Sequence, residues 1–145
     1  MQRSLVGSEM CIRDSNMKKT VLATALALSI IAGTMPTYGK SVGIFSNFTV
    51  TYSGGEKFTK AVSKYKDGGN GVVNMNNDSG AAWITANMKN SDGVYRGGCT
   101  LQRGTRKTFP NTGKAGYMYK LGLSKTNNTG GGTVTINGSW SPDED

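Results

Sequence analysis

The last third of the chain alternates hydrophobic and polar residues. Residues 115–125 read AGYMYKLGLSK, and four side chains share one face of an extended segment: Tyr117, Tyr119, Leu121 and Leu123. Because successive side chains of a strand point to opposite sheet faces, this pattern predicts a half-buried strand. Residues 132–140, GTVTINGSW, repeat it with Val134, Ile136 and Trp140. The intervening TNNTGGG favours a turn, so we predict an antiparallel hairpin.

Six further short runs have strand character: residues 42–52, 57–65, 71–75, 81–88, 94–102 and 105–109. In the first run, one face is expected to carry Ile44, Phe48, Val50 and Tyr52. Gly97-Gly98 interrupts the fifth run and predicts a bulge. Turn residues separate the runs at spacings of roughly 8 to 12 residues. The predicted fold class is therefore all-β, a small antiparallel β-sandwich or jelly-roll-like barrel of about eight strands, and the pattern does not separate a sandwich from a closed barrel.

The beginning of the chain has the pattern of an export signal. Lys18 and Lys19 precede an uncharged, largely apolar run at residues 21–33, and Pro36 and small residues follow up to Gly39. That order predicts a signal-peptide helix within residues 17–39, with cleavage after Gly39. The apolar run of about 13 residues is shorter than the roughly 20 that a membrane-spanning helix needs, so a permanent anchor is the less favoured alternative.

The first sixteen residues fit neither a signal peptide nor a folded element, because they are polar, carry mixed charge and lack a sustained period. Within them, VGSEMCIRDS (6–15) resembles translated sequencing-adapter DNA. We therefore expect residues 1–16 to be an artefactual leader, the alternative being a genuine polar leader. The expected mature protein is a single secreted β domain, residues 40–145, with 13 Lys or Arg against 7 Asp or Glu.

The inventory of reactive side chains argues against catalysis. The chain has no histidine, which excludes Ser-His-Asp and Cys-His nucleophiles and histidine zinc sites. Cys99 is the only cysteine of residues 40–145. In an exported protein such a residue forms an intermolecular disulfide, provides a reactive thiol or is a small buried apolar residue, and we favour the last.

Carboxylates supply the remaining catalytic option. A pair drawn from four acidic residues would suit glycoside hydrolysis, but each lies in a turn-forming stretch: Glu56, Asp67, Asp78 and Asp92. Residues 74–80, NMNNDSG, approach the spacing of a calcium loop, yet the glycine is one position late, so a hairpin loop is favoured. We therefore expect no enzyme, no cofactor and no metal site.

Basic residues form the candidate binding feature. Five lie close together in sequence: Arg96, Arg103, Arg106, Lys107 and Lys114. Such a patch suits phosphate, an anionic cell-wall polymer or a membrane surface, and the alternative is a solvated face of a basic protein. The candidate aromatic contacts are Tyr117, Tyr119 and Trp140. Nucleic acid is not expected as a partner, because the protein is expected to be exported and no recognition motif is present.

The C-terminal third also carries a set of short motifs: Tyr117 and Tyr119, Asn127-Asn128, Gly138-x-Trp140 and Asp143-Glu144. Together with the signal peptide, they resemble a family of small secreted β-rich proteins of unknown function from Gram-positive bacteria. More distantly, the size, the cationic charge and the lack of disulfides resemble lactococcin 972-type bacteriocins. Neither resemblance supplies a catalytic motif.

These observations predict a secreted, small cationic β-sandwich protein that acts as a non-enzymatic binding module at the cell envelope or outside the cell. Its expected partners are anionic wall polymer or a membrane surface. The alternative is a bacteriocin-like antagonist that acts on the envelope of neighbouring cells. The oligomeric state does not follow from the sequence.

Overall fold

The computed structural model describes residues 39–145, and that part of the chain contains nine β-strands and no helix: β1 (Gly43–Thr51), β2 (Lys57–Phe58), β3 (Val62–Ser63), β4 (Asn70–Asn74), β5 (Trp83–Asn90), β6 (Tyr95–Gln102), β7 (Arg106–Pro110), β8 (Met118–Lys125) and β9 (Thr133–Ser141). The predicted leader and signal-peptide helix lie outside the described residues, except for Gly39. Within the described range no helix could cross a membrane. The all-β prediction is confirmed.

Each of the eight predicted runs overlaps a strand, and the run at 57–65 contains two. Both β2 and β3 pair with β8, so they form one interrupted edge strand. Between them, the Thr59 N–H donates to the Leu121 carbonyl at 2.9 Å, and the Leu121 N–H donates to the Thr59 hydroxyl at 3.2 Å. A side-chain oxygen thus replaces a backbone carbonyl at the interruption.

The strands form two antiparallel sheets. The first sheet has the order β1-β9-β4-β7, and the second has β2-β8-β5-β6 with β3 also beside β8. The pairing is nested: β1 with β9, β2 and β3 with β8, β4 with β7, and β5 with β6. The described chain therefore resembles one long hairpin rolled into two layers, which is the jelly-roll form of a β-sandwich.

The predicted hairpin between β8 and β9 is wrong. The two strands belong to different sheets, and residues 126–132 cross between the layers. Both strands alternate because each presents one face to the shared core, and alternation does not specify the neighbouring strand. Residues 74–80 are likewise not a hairpin loop, because they lead from β4 to β5 in the other sheet. Among the described strands that follow each other along the chain, β5 and β6 form the hairpin.

The core lies between the sheets, and β8 and β9 face it as predicted. On β8, Leu121 and Leu123 are fully buried, and on β9 so are Ile136 and Trp140. Tyr117 differs from the prediction: it precedes the start of β8 and is 65% exposed. It therefore contributes its ring to the surface.

A bulge in β1 overturns the predicted face of that strand. The structure buries Phe45 and exposes Ile44, the reverse of the expectation. Between Phe45 and Phe48 the register against β9 shifts by one residue. The extra residue is accommodated by Asn47, whose φ is 50° and whose N–H donates to Asn137 Oδ1 at 2.8 Å. Because side chains alternate with a period of two, one inserted residue exchanges the two faces of the strand.

A second bulge interrupts β6, as predicted from its two glycines. Gly97 lies opposite Met88 and Tyr95 lies opposite Lys89, so Arg96 is the extra residue. The bulge thus begins one residue before the predicted glycine pair. Bulges re-aim side chains at the edges of sheets, and this one places Arg96 outside the normal alternation of β6.

Candidate functional site

A groove of about 630 Å³ lies where the β5–β6 hairpin approaches the segment that leads into β8. We call it the cationic groove, and these residues define it: Asn90, Ser91, Asp92, Arg96, Lys114, Gly116, Tyr117, Met118 and Tyr119. Its volume falls within the range of small-ligand sites. The structure thus brings together two of the predicted basic residues and two of the predicted aromatic residues.

The turn of the β5–β6 hairpin forms one side of the groove, and the side chain of Asn90 stabilises it. Its Oδ1 accepts a hydrogen bond from the Val94 N–H at 2.8 Å, and its Nδ2 donates to Asp92 Oδ2 at 3.2 Å. Gly93 completes the turn with a φ of 79°, a conformation that favours glycine. The hairpin therefore presents the Asp92 carboxylate to the groove from a braced position.

Arg96 supplies a guanidinium that bonds to no other side chain of residues 39–145. Its Nε is buried and makes no hydrogen bond within this range. The other two arginines of the described range, Arg103 and Arg106, both form ion pairs, with N–O distances of 2.7 and 3.5 Å. Guanidinium groups without a carboxylate partner bind anions through charge-assisted hydrogen bonds, so Arg96 is the groove residue best suited to an anionic ligand.

Lys114 supplies the second positive charge. Its Nζ lies 3.6 Å from Asp67 Oδ2, but both side chains are more than half exposed, so solvent screens the pair. The Ala115 N–H, which donates to Asp67 Oδ1 at 2.7 Å, and the charge of Lys114 hold the pKa of Asp67 below its ordinary value. Lys114 therefore remains accessible to a ligand.

The two tyrosines have different roles in the groove. Tyr119 is 3% exposed, and its hydroxyl accepts a hydrogen bond from the Lys114 N–H at 2.7 Å. This buried side chain therefore fixes the backbone of Lys114 at the edge of the groove. Tyr117 and Met118 are exposed and offer an aromatic ring and a thioether at the surface. Exposed aromatic side chains of this kind add contact area with little loss of conformational entropy.

The structure does not bring the other predicted basic residues to this groove. Arg103 donates from Nε and Nη2 to both carboxylate oxygens of Asp78, at 2.9 and 2.7 Å. Arg106 pairs with Glu144, and Lys107 donates to the Thr100 carbonyl. Arg103 and Arg106 are therefore paired with carboxylates, whereas Lys107 is hydrogen-bonded to a neutral carbonyl and keeps its charge.

Trp140, the third predicted aromatic contact, is also absent from the groove. It lies in the core with 1% of its surface exposed. Its position on the inner face of β9 follows from the alternation of that strand. A ligand at the surface therefore does not reach the indole ring.

The four acidic residues considered for catalysis have separate partners. Three of them form ion pairs: Glu56 with Lys89, Asp67 with Lys114 and Asp78 with Arg103. The fourth, Asp92, accepts a hydrogen bond from the side-chain amide of Asn90. Within residues 39–145, no group of three His, Cys, Asp or Glu side chains is arranged to hold a metal ion. The expectation that the protein is not an enzyme stays a prediction.

Sequence reasoning missed Asn90 and Met118 as groove residues. The segment that begins at Asn90 reads NSDG, which is a turn signal, but a turn signal does not say which side chains will meet across the fold. Met118 lies on the opposite face of β8 from the buried Leu121 and Leu123, and it is exposed.

No protein-family model and no curated protein matches the chain. The resemblance to small secreted β-rich proteins therefore stays a prediction.

Proposed function

We propose that the protein is an exported, non-enzymatic binding module that holds an anionic polymer of the cell envelope in the cationic groove. The observation that supports the proposal is that Arg96, whose guanidinium has no partner among residues 39–145, lines the same groove as the exposed ring of Tyr117. Guanidinium groups bind phosphate and carboxylate oxygens through two parallel hydrogen bonds. The Tyr117 ring adds van der Waals contact with the carbon skeleton of the polymer.

The charge distribution supports attraction over a longer range. In residues 40–145, six basic side chains form ion pairs with carboxylates. Seven do not: Lys57, Lys60, Lys66, Arg96, Lys107, Lys120 and Lys125. An excess of unpaired positive charge raises the local concentration of a polyanion and speeds its association. The groove itself carries two cations and Asp92, so the specific contact depends on geometry as well as on net charge.

A co-sedimentation experiment with purified Gram-positive cell walls tests this proposal. Arg96→Gln is expected to weaken binding by about tenfold to a hundredfold, because a charge-assisted hydrogen bond contributes roughly 1.5–3 kcal/mol. Lys107→Gln is the matched control: it also removes one positive charge, but at a position outside the groove. It is expected to change affinity less than about twofold.

Salt and polymer removal complete the test. Screening shortens the range of charge interactions from about 10 Å at 0.1 M salt to about 3 Å at 1 M, so binding is expected to fall steeply across that range. Walls stripped of their anionic polymer are expected to retain little protein. Salt-independent binding, or equal losses for the two variants, would contradict the proposal. Inhibition of bacterial growth by the purified protein would instead favour a bacteriocin-like role.

A further inference from the structure

A second groove, of about 300 Å³, lies where the bulge of β1 faces β9 and the end of β4. We call it the amide groove, and these residues define it: Ile44, Phe45, Ser46, Asn74, Asn77, Asn137, Gly138 and Ser139. None of them is ionisable, although residues 40–145 carry a clear excess of positive charge. The groove therefore offers hydrogen bonds and apolar surface without charge.

The three asparagines of the groove retain free hydrogen-bond donors. Asn137 Oδ1 accepts from the Asn47 N–H and the Ser46 hydroxyl, and Asn74 Oδ1 accepts from the Asn76 N–H. Neither of their Nδ2 groups bonds to another described residue, and the side chain of Asn77 makes no hydrogen bond within residues 39–145. Each carboxamide nitrogen carries two N–H donors, so the groove presents several unpaired donors to solvent.

The apolar part of the groove depends on Gly138. A Cβ at this position would lie 2.6 Å from the Phe45 ring and 2.6 Å from the Asn74 carbonyl oxygen, so the absence of a side chain lets the strands and the ring approach closely. Ile44, which the β1 bulge turns outward, is 76% exposed at the rim. Apolar surface next to convergent polar groups is the usual composition of a small-molecule site.

The amide groove is separate from the cationic groove. The two share no residue. Asn74 begins the connection that enters β5 at Trp83, whereas Asn90 of the cationic groove is the last residue of β5. The amide groove is formed by strands and connections of the β1-β9-β4-β7 sheet, whereas the cationic groove is formed by the β5–β6 hairpin and the segment that leads into β8.

We propose that the amide groove is a second binding site, and that its ligand is an uncharged saccharide. A sugar ring presents hydroxyl and ring oxygens that accept from the carboxamide donors, and its C–H face packs on apolar side chains such as Ile44. An ionised group can accept from the same donors, but no charged side chain of the groove offsets the cost of its desolvation. The inference does not depend on the function proposed for the cationic groove.

Titration of the full chain with a panel of uncharged oligosaccharides tests this inference, with a uronate and a sugar phosphate as charged comparisons. In nitrogen–proton correlation spectra, the side-chain amide signals of Asn74, Asn77 and Asn137 are expected to shift with an uncharged member. Asn77→Ala is expected to weaken that binding about fivefold or more. Asn76→Ala is the matched control, because Asn76 is the exposed neighbour outside the groove. Affinity is expected to be the same at about 0.1 and 1 M salt.

Several results would overturn the inference. The inference is wrong if no uncharged oligosaccharide shifts the asparagine amide signals at about 10 mM, because that concentration reveals even millimolar affinity. Tighter, salt-sensitive binding of the charged comparisons would also overturn it. Equal losses for Asn76→Ala and Asn77→Ala would show that the effect is not local. Arg96→Gln is expected to leave saccharide binding unchanged. If this variant lost saccharide binding, the saccharide would be assigned to the cationic groove instead.

Discussion

Asp143 follows β9, and its carboxylate ties the end of the described chain to the residues around β3. Its Oδ1 lies 2.8 Å from Lys64 Nζ, and the side chains of Lys64 and Asp143 are only 0% and 6% exposed. The same carboxylate accepts hydrogen bonds from the N–H groups of Tyr65 and Lys66, at 2.6 and 3.2 Å. Lys64 also donates to the Pro142 carbonyl at 2.7 Å. One side chain thus satisfies a buried ammonium and two backbone donors.

Asp143→Ala is expected to destabilise the protein by about 3–5 kcal/mol. Removing one partner of a buried ion pair leaves an uncompensated charge away from water, and that accounts for most of the loss. The two N–H groups that lose their acceptor add to it. Since small domains are stable by about 5–15 kcal/mol, the variant is expected to be close to unfolding. Replacing both partners, as in Lys64→Met with Asp143→Ala, is expected to be less damaging than Asp143→Ala alone, because no charge is then left buried.

Urea unfolding followed by tryptophan fluorescence measures this effect, because the buried indole of Trp140 becomes exposed on unfolding. Asp145→Ala is the control: Asp145 is 85% exposed and pairs with Lys40 at 3.2 Å, so its loss is expected to cost less than about 1 kcal/mol. If the two alanine variants unfold at the same urea concentration, the reasoning about the buried pair is refuted.

Three further predictions concern single side chains. Burial by itself raises the pKa of Asp78, but the hydrogen bonds and charge of Arg103 outweigh burial and lower that pKa below 3.8. The ionised Asp78 therefore stabilises the folded protein above pH 3.8, and this contribution is lost as the pH falls through the lower native pKa. Asp78→Asn should flatten the acid side of the stability curve from urea unfolding, and an unchanged curve would contradict this. Burial raises the pKa of Cys99 to about 11, so at about pH 8 the native thiol should react about a hundredfold more slowly with a thiol reagent than the unfolded one. Equal rates would refute this assignment. Gly138→Ala brings a methyl group within 2.6 Å of the Phe45 ring and should cost roughly 1–3 kcal/mol, seen as a lower melting temperature; an unchanged melting temperature would count against the close approach.

The candidate site was only partly accessible from sequence. Arg96 and Lys114 were recognised as basic residues, and Tyr117 as an aromatic one, because residue type is visible in the chain. That Arg96 lacks a carboxylate partner within residues 39–145 was not visible, since ion pairs form between distant positions. Arg103, for example, meets Asp78 from 25 residues away. The sign of a side chain's charge follows from its residue type, whereas the presence or absence of an ion-pair partner depends on the fold.

By itself, the sequence determined the all-β class, the approximate positions of the strands and the inward faces of β8 and β9. Leu121 and Ile136 are buried where alternation placed them. Only the tertiary structure decided which strands pair, so that β8 and β9 lie in different sheets, and only it revealed the bulge that buries Phe45. The reason is physical: alternation follows from the local geometry of an extended backbone, whereas pairing and bulges depend on contacts across the whole domain. Each groove lies at a bulge, the cationic groove at that of β6 and the amide groove at that of β1. At a bulge, the alternation of the sequence no longer predicts which face of the sheet a side chain occupies.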